Sequence, residues 1–309
     1  MHEGSRRAIV AAFLANLGIA VAKFAGFAIT GSSAMLAEGV HSVADTSNQG
    51  LLVLGARRAE RAPTPEHPFG YGRERYFWAF VVAMVLFSVG GLFAIYEGVK
   101  KLNDPHEITS PGWAIGILAV AIVLETVSLI TAGREANRVR GRASWFAFVR
   151  RSKSPELPVV LLEDLGALVG LFFALAGVLL SVLTGEPIFD GLASVAIGVL
   201  LVCIALVLTI EMKSLLIGES AGAEDEAAIR AALEAEPAVR RVIHMRTQHV
   251  GPDTLLVGAK LEFDPQLSVA QLAEAVDAAE GRVRASVPIA KIIYVEPDLQ
   301  RPGAAQPSA

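Results

Sequence analysis

Cysteine is almost absent from this 309-residue sequence: Cys203 stands alone, inside an apolar run. One thiol excludes intramolecular disulfides and leaves no basis for a cysteine-ligated metal cluster. Aromatic residues are sparse at 7%, and the formal net charge is −4. That overall charge gives no reason to expect nucleic-acid binding, and no nucleic-acid partner is expected. Charge of either sign is thin at 19%, against 53% hydrophobic residues and a mean hydropathy of +0.50. Most of the chain cannot be an ordinary soluble domain. What charge there is divides unevenly, with 14 acidic and 9 basic residues in 214–309 against 17 and 18 in 1–213. This predicts a long apolar region followed by an acidic, water-soluble one.

Six apolar runs are long enough to cross about 30 Å of hydrocarbon as helices, at about 7–30, 34–56, 76–99, 112–132, 158–184 and 188–212. Arg6 and Arg7 precede the first run without a cleavage signature, so it is expected to remain as a helix. The linker near Gly31-Ser32-Ser33 forces the first two runs into an antiparallel hairpin. Arginines crowd the second-to-third linker (Arg57, Arg58, Arg61, Arg73, Arg75) and the fourth-to-fifth (Arg134, Arg138, Arg140, Arg142, Arg150, Arg151, with Lys153). On the other side, Lys100 and Lys101 are offset by Asp104, Glu107, Glu186 and Asp190. By the positive-inside rule both termini are expected to be cytoplasmic.

Ionisable residues inside these runs are the exceptions that need a reason, since each costs roughly 2.5–3.5 kcal/mol on insertion scales unless it faces a cavity, a partner or an ion. The second run carries Glu38, His41, Asp45 and Asn48, at steps of three and four that stack on one helical face. The fifth opens with Glu163 and Asp164, about 100° apart around a helix, so that only one of them aims at a given point. An imidazole with carboxylates suits a borderline divalent ion such as zinc, whereas magnesium prefers an all-oxygen shell. His41 and Asp45, with Asp164 or Glu163, are the candidate ligands. Glu38, Asn48, Glu125 in the fourth run and Lys23 in the first are candidates for holding those ligands or handling protons. Asn16 shares a face with Lys23, seven residues on. Gly166 and Gly170 form a small-xxx-small pair beside the acidic residues, which predicts close helix packing there.

Beyond Met212 the periodicity changes. A helix over 224–234 closes at Pro237; strands follow at 239–248 and 255–263, a helix at 267–287 capped by Ser268, and a strand at 290–295. This αββαβ order predicts a small α+β domain with helices on one face of a three-stranded sheet. The expected organisation is thus a six-helix transmembrane domain at 1–213, an αββαβ domain at 214–300 and a disordered tail at 301–309. His67, in the second-to-third linker, and His244, in the first strand, are candidate accessory metal contacts; His249 lies beside that strand.

The layout of six helices, His-x-x-x-Asp in the second, and a terminal αββαβ domain resembles the cation diffusion facilitator family from about Arg7 to Asp298. The run from His41 to Leu52, His67-Pro-Phe-Gly-Tyr71 and Leu161-Leu-Glu-Asp164 resemble in particular the branch typified by animal zinc transporter nine. The resemblance implies that His41 and Asp45 are metal ligands on the second helix. It also brings a departure. Members commonly carry His-x-x-x-Asp on the fifth helix, but an ungapped count from Asp190 sets Asp164 at the histidine position and Leu168 at the aspartate position. Leucine cannot ligate, which leaves Glu163 or Asn48 to compensate. The accessory positions depart too: Thr64 and Tyr71 flank His67 where Asp and His are usual. In the terminal domain Lys260, Tyr294 and Glu296 stand where two histidines and an aspartate are usual.

The resemblance implies a homodimeric secondary transporter that exports a divalent cation, zinc foremost, in exchange for protons by alternating access between the second and fifth helices. The partners implied are the metal ion, protons, the lipid bilayer and a second copy of the chain. No cofactor is expected, the metal being cargo. Manganese, iron or cobalt is the rival ion, and a non-transporting scaffold that kept the fold is the rival class. No nucleophile–base pair or oxyanion donor set stands near the acidic cluster, so an enzyme is not expected. The 20 arginines against 7 lysines, with abundant alanine, point to a bacterial plasma membrane, while a eukaryotic relative of this branch would sit in an organelle.

Overall fold

In lipid an apolar segment must satisfy its backbone internally, and each of the six runs is indeed helical. The computed structural model describes residues 3–298, with side chains from Leu17 onward. The expected disordered tail at 301–309 and the side chain of Asn16 lie outside the described residues. Two compact units result: the chain up to Arg57 with Tyr76–Lys213, and Arg58–Arg75 with the chain from Ser214 on.

The first unit holds α1 (Glu3–Thr30), α2 (Ser33–Ala59), α3 (Glu74–Asn103), α4 (Pro111–Arg140), a short α5 (Trp145–Arg151), α6 (Glu156–Thr184) and α7 (Ile188–Ile217). Four of these, α3, α4, α6 and α7, are long and apolar enough to cross a membrane; the described part of α1, Leu17–Thr30, is a shorter apolar helix. At 27 residues α2 has the length, roughly 40 Å, but not the apolarity. The cause is the polar stripe already noted, since Glu38, His41, Ser42, Thr46 and Asn48 are all buried on it. The α1–α2 hairpin is antiparallel as expected, with Gly26 against Met35 and Lys23 against Glu38.

The helices outrun the apolar segments. α4 continues through Arg134 to Arg140 because Arg and Glu are good helix formers and pair along the surface, as in Arg138–Glu135 at 2.6 Å. It stops at Gly141, whose φ of +57° only glycine adopts without strain. The unexpected α5 lies in the arginine-rich linker and exposes Trp145 and Phe146, with Arg140 stacked 4.3 Å from the Trp145 ring. Aromatics beside arginines fit a membrane interface.

Two residues assigned to loops by sequence are buried instead. Asp190 is fully buried and caps α2, accepting from the Ser33 amide (2.8 Å), the Ser33 hydroxyl (3.1 Å) and the Ser32 hydroxyl, with Lys101 Nζ at 4.0 Å. A carboxylate at a helix N-terminus satisfies orphan amides and favours the dipole. Asp190 and Lys101 therefore anchor α2 to α7 and α3, and do not contribute to loop charge.

Against α7, α3 packs by a glycine pattern that sequence reading missed: Gly91 and Gly98 meet Gly198 and Gly191, seven residues apart on each helix. A Cβ on Gly198 would fall 2.5 Å from Ile95 Cγ1 and 2.7 Å from the Gly91 carbonyl oxygen. Close backbone approach of this kind is how helices associate in lipid. Within α3, residues Leu86–Leu92 form a π-turn.

The second unit contains α8 (Ala223–Glu234), β1 (Val239–Gly251), β2 (Thr254–Phe263), α9 (Val269–Ser286) and β3 (Ile292–Asp298). The sheet order is β1-β2-β3, antiparallel then parallel, and α9 provides the crossover that a parallel pair requires. Burial alternates along β2, placing Leu255, Val257, Ala259, Leu261 and Phe263 in one core with Ile229 and Leu233 of α8 and Ala279 and Val283 of α9. Ser268 caps α9 in a reciprocal box with Gln271. The αββαβ class expected from sequence is the one observed.

Overpacking the α3–α7 seam should be costly. Gly198→Ile is expected to destabilise the fold by about 1–3 kcal/mol, read as a lower melting temperature in detergent. Gly133→Ala, where nothing lies within 4 Å of the added carbon and alanine is the better helix former, should not lower it.

Candidate metal centre

The stripe on α2 divides into three arrangements. Nearest the N-terminus, Lys23 of α1 donates to Glu38 Oε2 at 3.0 Å and to Ser42 Oγ at 2.7 Å, with both charged groups fully buried. Gly170 of α6 permits this, since a Cβ there would come within 2.6 Å of Glu38 Oε1. Lys23 and Glu38 are thus a buried ion pair; removing one partner of such a pair typically costs about 3–5 kcal/mol, because the other charge is stranded.

One turn on, His41 is fully buried and neither ring nitrogen has a hydrogen-bond partner. Its Nε2 lies 3.4 Å from Asp45 Oδ2, close enough for an ion to bridge but without a hydrogen bond between them, and Asp45 Oδ1 is also unpartnered. Buried polar atoms are nearly always satisfied, so orphaned imidazole nitrogens need an explanation. The α3 π-turn passes beside them: a Cβ on Gly90 would lie 3.8 Å from His41 Nδ1.

Further along α2, Asn48 donates to Glu163 Oε1 at 2.7 Å, which joins α2 to α6 with both residues buried. The neighbouring Asp164 turns elsewhere, as the 100° offset requires. It accepts from Ser128 of α4 at 2.9 Å and lines a polar cleft of about 20 Å³ shared with Ser42, Asp45, Gln49 and Glu125. That is room for about one water-sized group. Asp45, Glu125 and Asp164 therefore come together on one side, while Glu163 is engaged with Asn48 on another. No group of three or more His, Cys, Asp or Glu among the described residues is already arranged to hold a metal ion.

Charge balance in this region is lopsided. Lys23 is taken by Glu38, and Asp45, Glu125, Glu163 and Asp164 have no Lys or Arg partner among the described residues. Four carboxylates within the helical bundle, beside an imidazole able to ligate, suit a cation. The sequence offered the carboxylates and the imidazole. It did not offer the Ser42, Ser128 and Gln49 lining, because hydroxyls and amides are common in helices and only packing selects the ones that meet.

The accessory candidates lie in the second unit. His67 is exposed; its ring stacks on Tyr71 with centroids 4.6 Å apart, and Thr64 Oγ1 is 3.2 Å from the Tyr71 hydroxyl. His244 pairs across the sheet with Lys260, whose ammonium lies 3.0 Å from Glu296 and 3.1 Å from Asp298. Hydrogen bonds to Glu296 and then Asp298 raise the Lys260 pKa above its ordinary value, so it stays charged throughout the neutral range. A tethered cation already neutralises the acidic end of β3.

Comparison with known proteins identifies the family. Residues 9–217 match the cation efflux transmembrane domain and residues 221–298 match the cytoplasmic domain of cation efflux proteins. The human proton-coupled zinc antiporter SLC30A9, mitochondrial, is 34% identical over 244 residues, covering 78% of this chain and 43% of that protein. Metal tolerance protein C4 of Arabidopsis thaliana is 28% identical over 269 residues, covering 86% and 59%. The magnetosome protein MamB of Paramagnetospirillum magneticum is 26% identical over 292 residues, covering 93% and 92%. The chain spans less than half the length of the zinc antiporters it matches.

If Lys260 replaces a bound cation in the terminal domain, residues 214–309 titrated with zinc at neutral pH should show no tight site. Two tight sites per protomer would overturn that reading. Raising the pH should remove the contribution of the Lys260 contacts only above the ordinary lysine range, since a raised pKa keeps the ammonium charged below it.

Proposed function

The chain belongs to the cation efflux family, and on that premise we propose that it is a secondary transporter exporting a divalent cation, zinc foremost, in exchange for protons. The observation that carries this reading is the buried His41 beside Asp45, unpartnered at both nitrogens among the described residues, in a region where the one buried lysine is already paired with Glu38. His41 and Asp45 on α2, with Asp164 of α6, bind the ion; Glu163, held by Asn48, fixes α6 against α2 and is the alternative ligand.

Proton exchange follows from ligand chemistry. Binding requires a neutral imidazole and ionised carboxylates, and protons compete for the same atoms. A site open to an acidic exterior takes up protons and releases the ion; open to the cytoplasm, it releases protons and reloads. Alternating access about a midplane site between packed helices provides the two openings. The likeness to proteins named as proton-coupled zinc antiporters supports the same coupling here.

Arginine placement supports cytoplasmic termini in a multi-pass integral membrane protein. The composition supports a bacterial plasma membrane, and the match to the family's cytoplasmic domain supports a homodimer joined through the second unit. A second reading, in which the cargo is manganese, iron or cobalt, is favoured by one observation: every candidate ligand except His41 offers oxygen.

The test is flux in proteoliposomes under an imposed pH gradient. Zinc movement driven by an opposing proton gradient and abolished in Asp45→Ala supports the proposal. Movement of manganese alone would keep the mechanism and replace the ion. No flux of any ion from well-folded protein would favour a scaffold role.

A further inference from the structure

Resting on that reading, we propose that Glu125 of α4 is itself a ligand of the transported cation, providing the carboxylate that Leu168 cannot. The ion would then be held by three helices, α2, α4 and α6.

The residue occupies an unusual place. On α4 its neighbours Val123, Leu124 and Val127 point outward, 62%, 44% and 59% exposed, as a lipid-facing helix requires. Glu125 is half-buried and turns the other way, lining the small cleft with Asp45, Asp164 and Ser128. It makes no hydrogen bond or salt bridge with any described residue; it feels the charge of Lys23, but that ammonium is itself bound to Glu38 and Ser42. Asp164, by contrast, is held by Ser128, three residues further along the same α4. The cleft therefore receives a carboxylate from each of three helices, with room for about one water-sized group between them.

A second, independent feature points to a ligand at this place. His41 is fully buried, unpartnered at both nitrogens, and its Nε2 lies 3.4 Å from the Asp45 carboxylate that lines the cleft. A divalent ion bridging His41 and Asp45 needs further donors. On α6 the position one turn beyond Asp164 is Leu168, which has none to offer. Glu163 is already bound by Asn48 and is not among the residues that line the cleft. Glu125 is the remaining carboxylate on that lining. One imidazole with three carboxylates makes a four-donor shell suited to zinc and more tolerant of oxygen-preferring ions than a two-histidine shell. Since these groups are not yet gathered around one point, α4 and α6 must draw toward α2 when the ion enters.

The experiment is equilibrium zinc binding by the full chain in detergent, comparing wild type with Glu125→Gln, Glu125→His and Asp45→Ala, each matched to wild type in melting temperature and elution. A ligand role predicts that Glu125→Gln, similar in size and polarity, weakens zinc binding at least about tenfold, while Glu125→His, which restores a donor, stays within a fewfold of wild type. Wild-type binding in Glu125→Gln alongside lost binding in Asp45→Ala would overturn the Glu125 assignment and leave the α2 site standing. Equal losses in Gln and His variants would also overturn it, assigning Glu125 a positioning role. Wild-type binding in Asp45→Ala would instead remove the site on which the proposal rests.

Discussion

A charge in hydrocarbon must be neutralised, paired or solvated, and that constraint organises the transmembrane unit. Lys23 meets it by pairing with Glu38, and Asp190 meets it by capping α2 with Lys101 nearby. Asp45, Glu125 and Asp164 are left around a small cleft and form no salt bridge to a Lys or Arg among the described residues, Lys23 being bound to Glu38. The first two arrangements fix α2 at its beginning and along its first turns; the third is where, on the proposed reading, a mobile cation would complete the balance. Structure and proposed cargo site are thus two answers to one electrostatic problem, posed along one helix.

Glycine makes those answers geometrically feasible. Gly170 lets α6 approach the Glu38 carboxylate, and the Gly91–Gly198 and Gly98–Gly191 pairs bring α3 and α7 into backbone contact. The π-turn Leu86–Leu92 then places Gly90 beside His41, where a Cβ would meet Leu201 Cδ1 at 3.2 Å and the imidazole at ordinary contact distance. The proposed alternating access would benefit from a site bordered by closely packed but smooth helix surfaces.

Much of this was legible in the sequence, and the misses have physical causes. Helix-period spacing placed Glu38, His41, Asp45 and Asn48 on one stripe, and the 100° offset separated Glu163 from Asp164 before any coordinates did. The αββαβ order followed from changes in periodicity, and β2 alternates over its whole length. Asp190 and Lys101 were misplaced because charge next to an apolar run reads as loop, while a carboxylate buried as a helix cap depends on a contact 157 residues away. Glycines seven apart on α3 and α7 carry a packing signal, yet their pairing becomes visible only once the helices are adjacent. α2 is the reverse case: its polar stripe makes it less apolar than the other long helices, although that stripe is the reason the bundle has a site.

The most direct test of the central claim is to locate the ion. Anomalous scattering at the zinc edge, from crystals of the zinc-loaded full chain, should place one strong peak per protomer within about 2.0–2.2 Å of a His41 nitrogen and an Asp45 oxygen. A zinc-loaded, transport-competent protein with that position empty and its strong peak elsewhere would contradict the account.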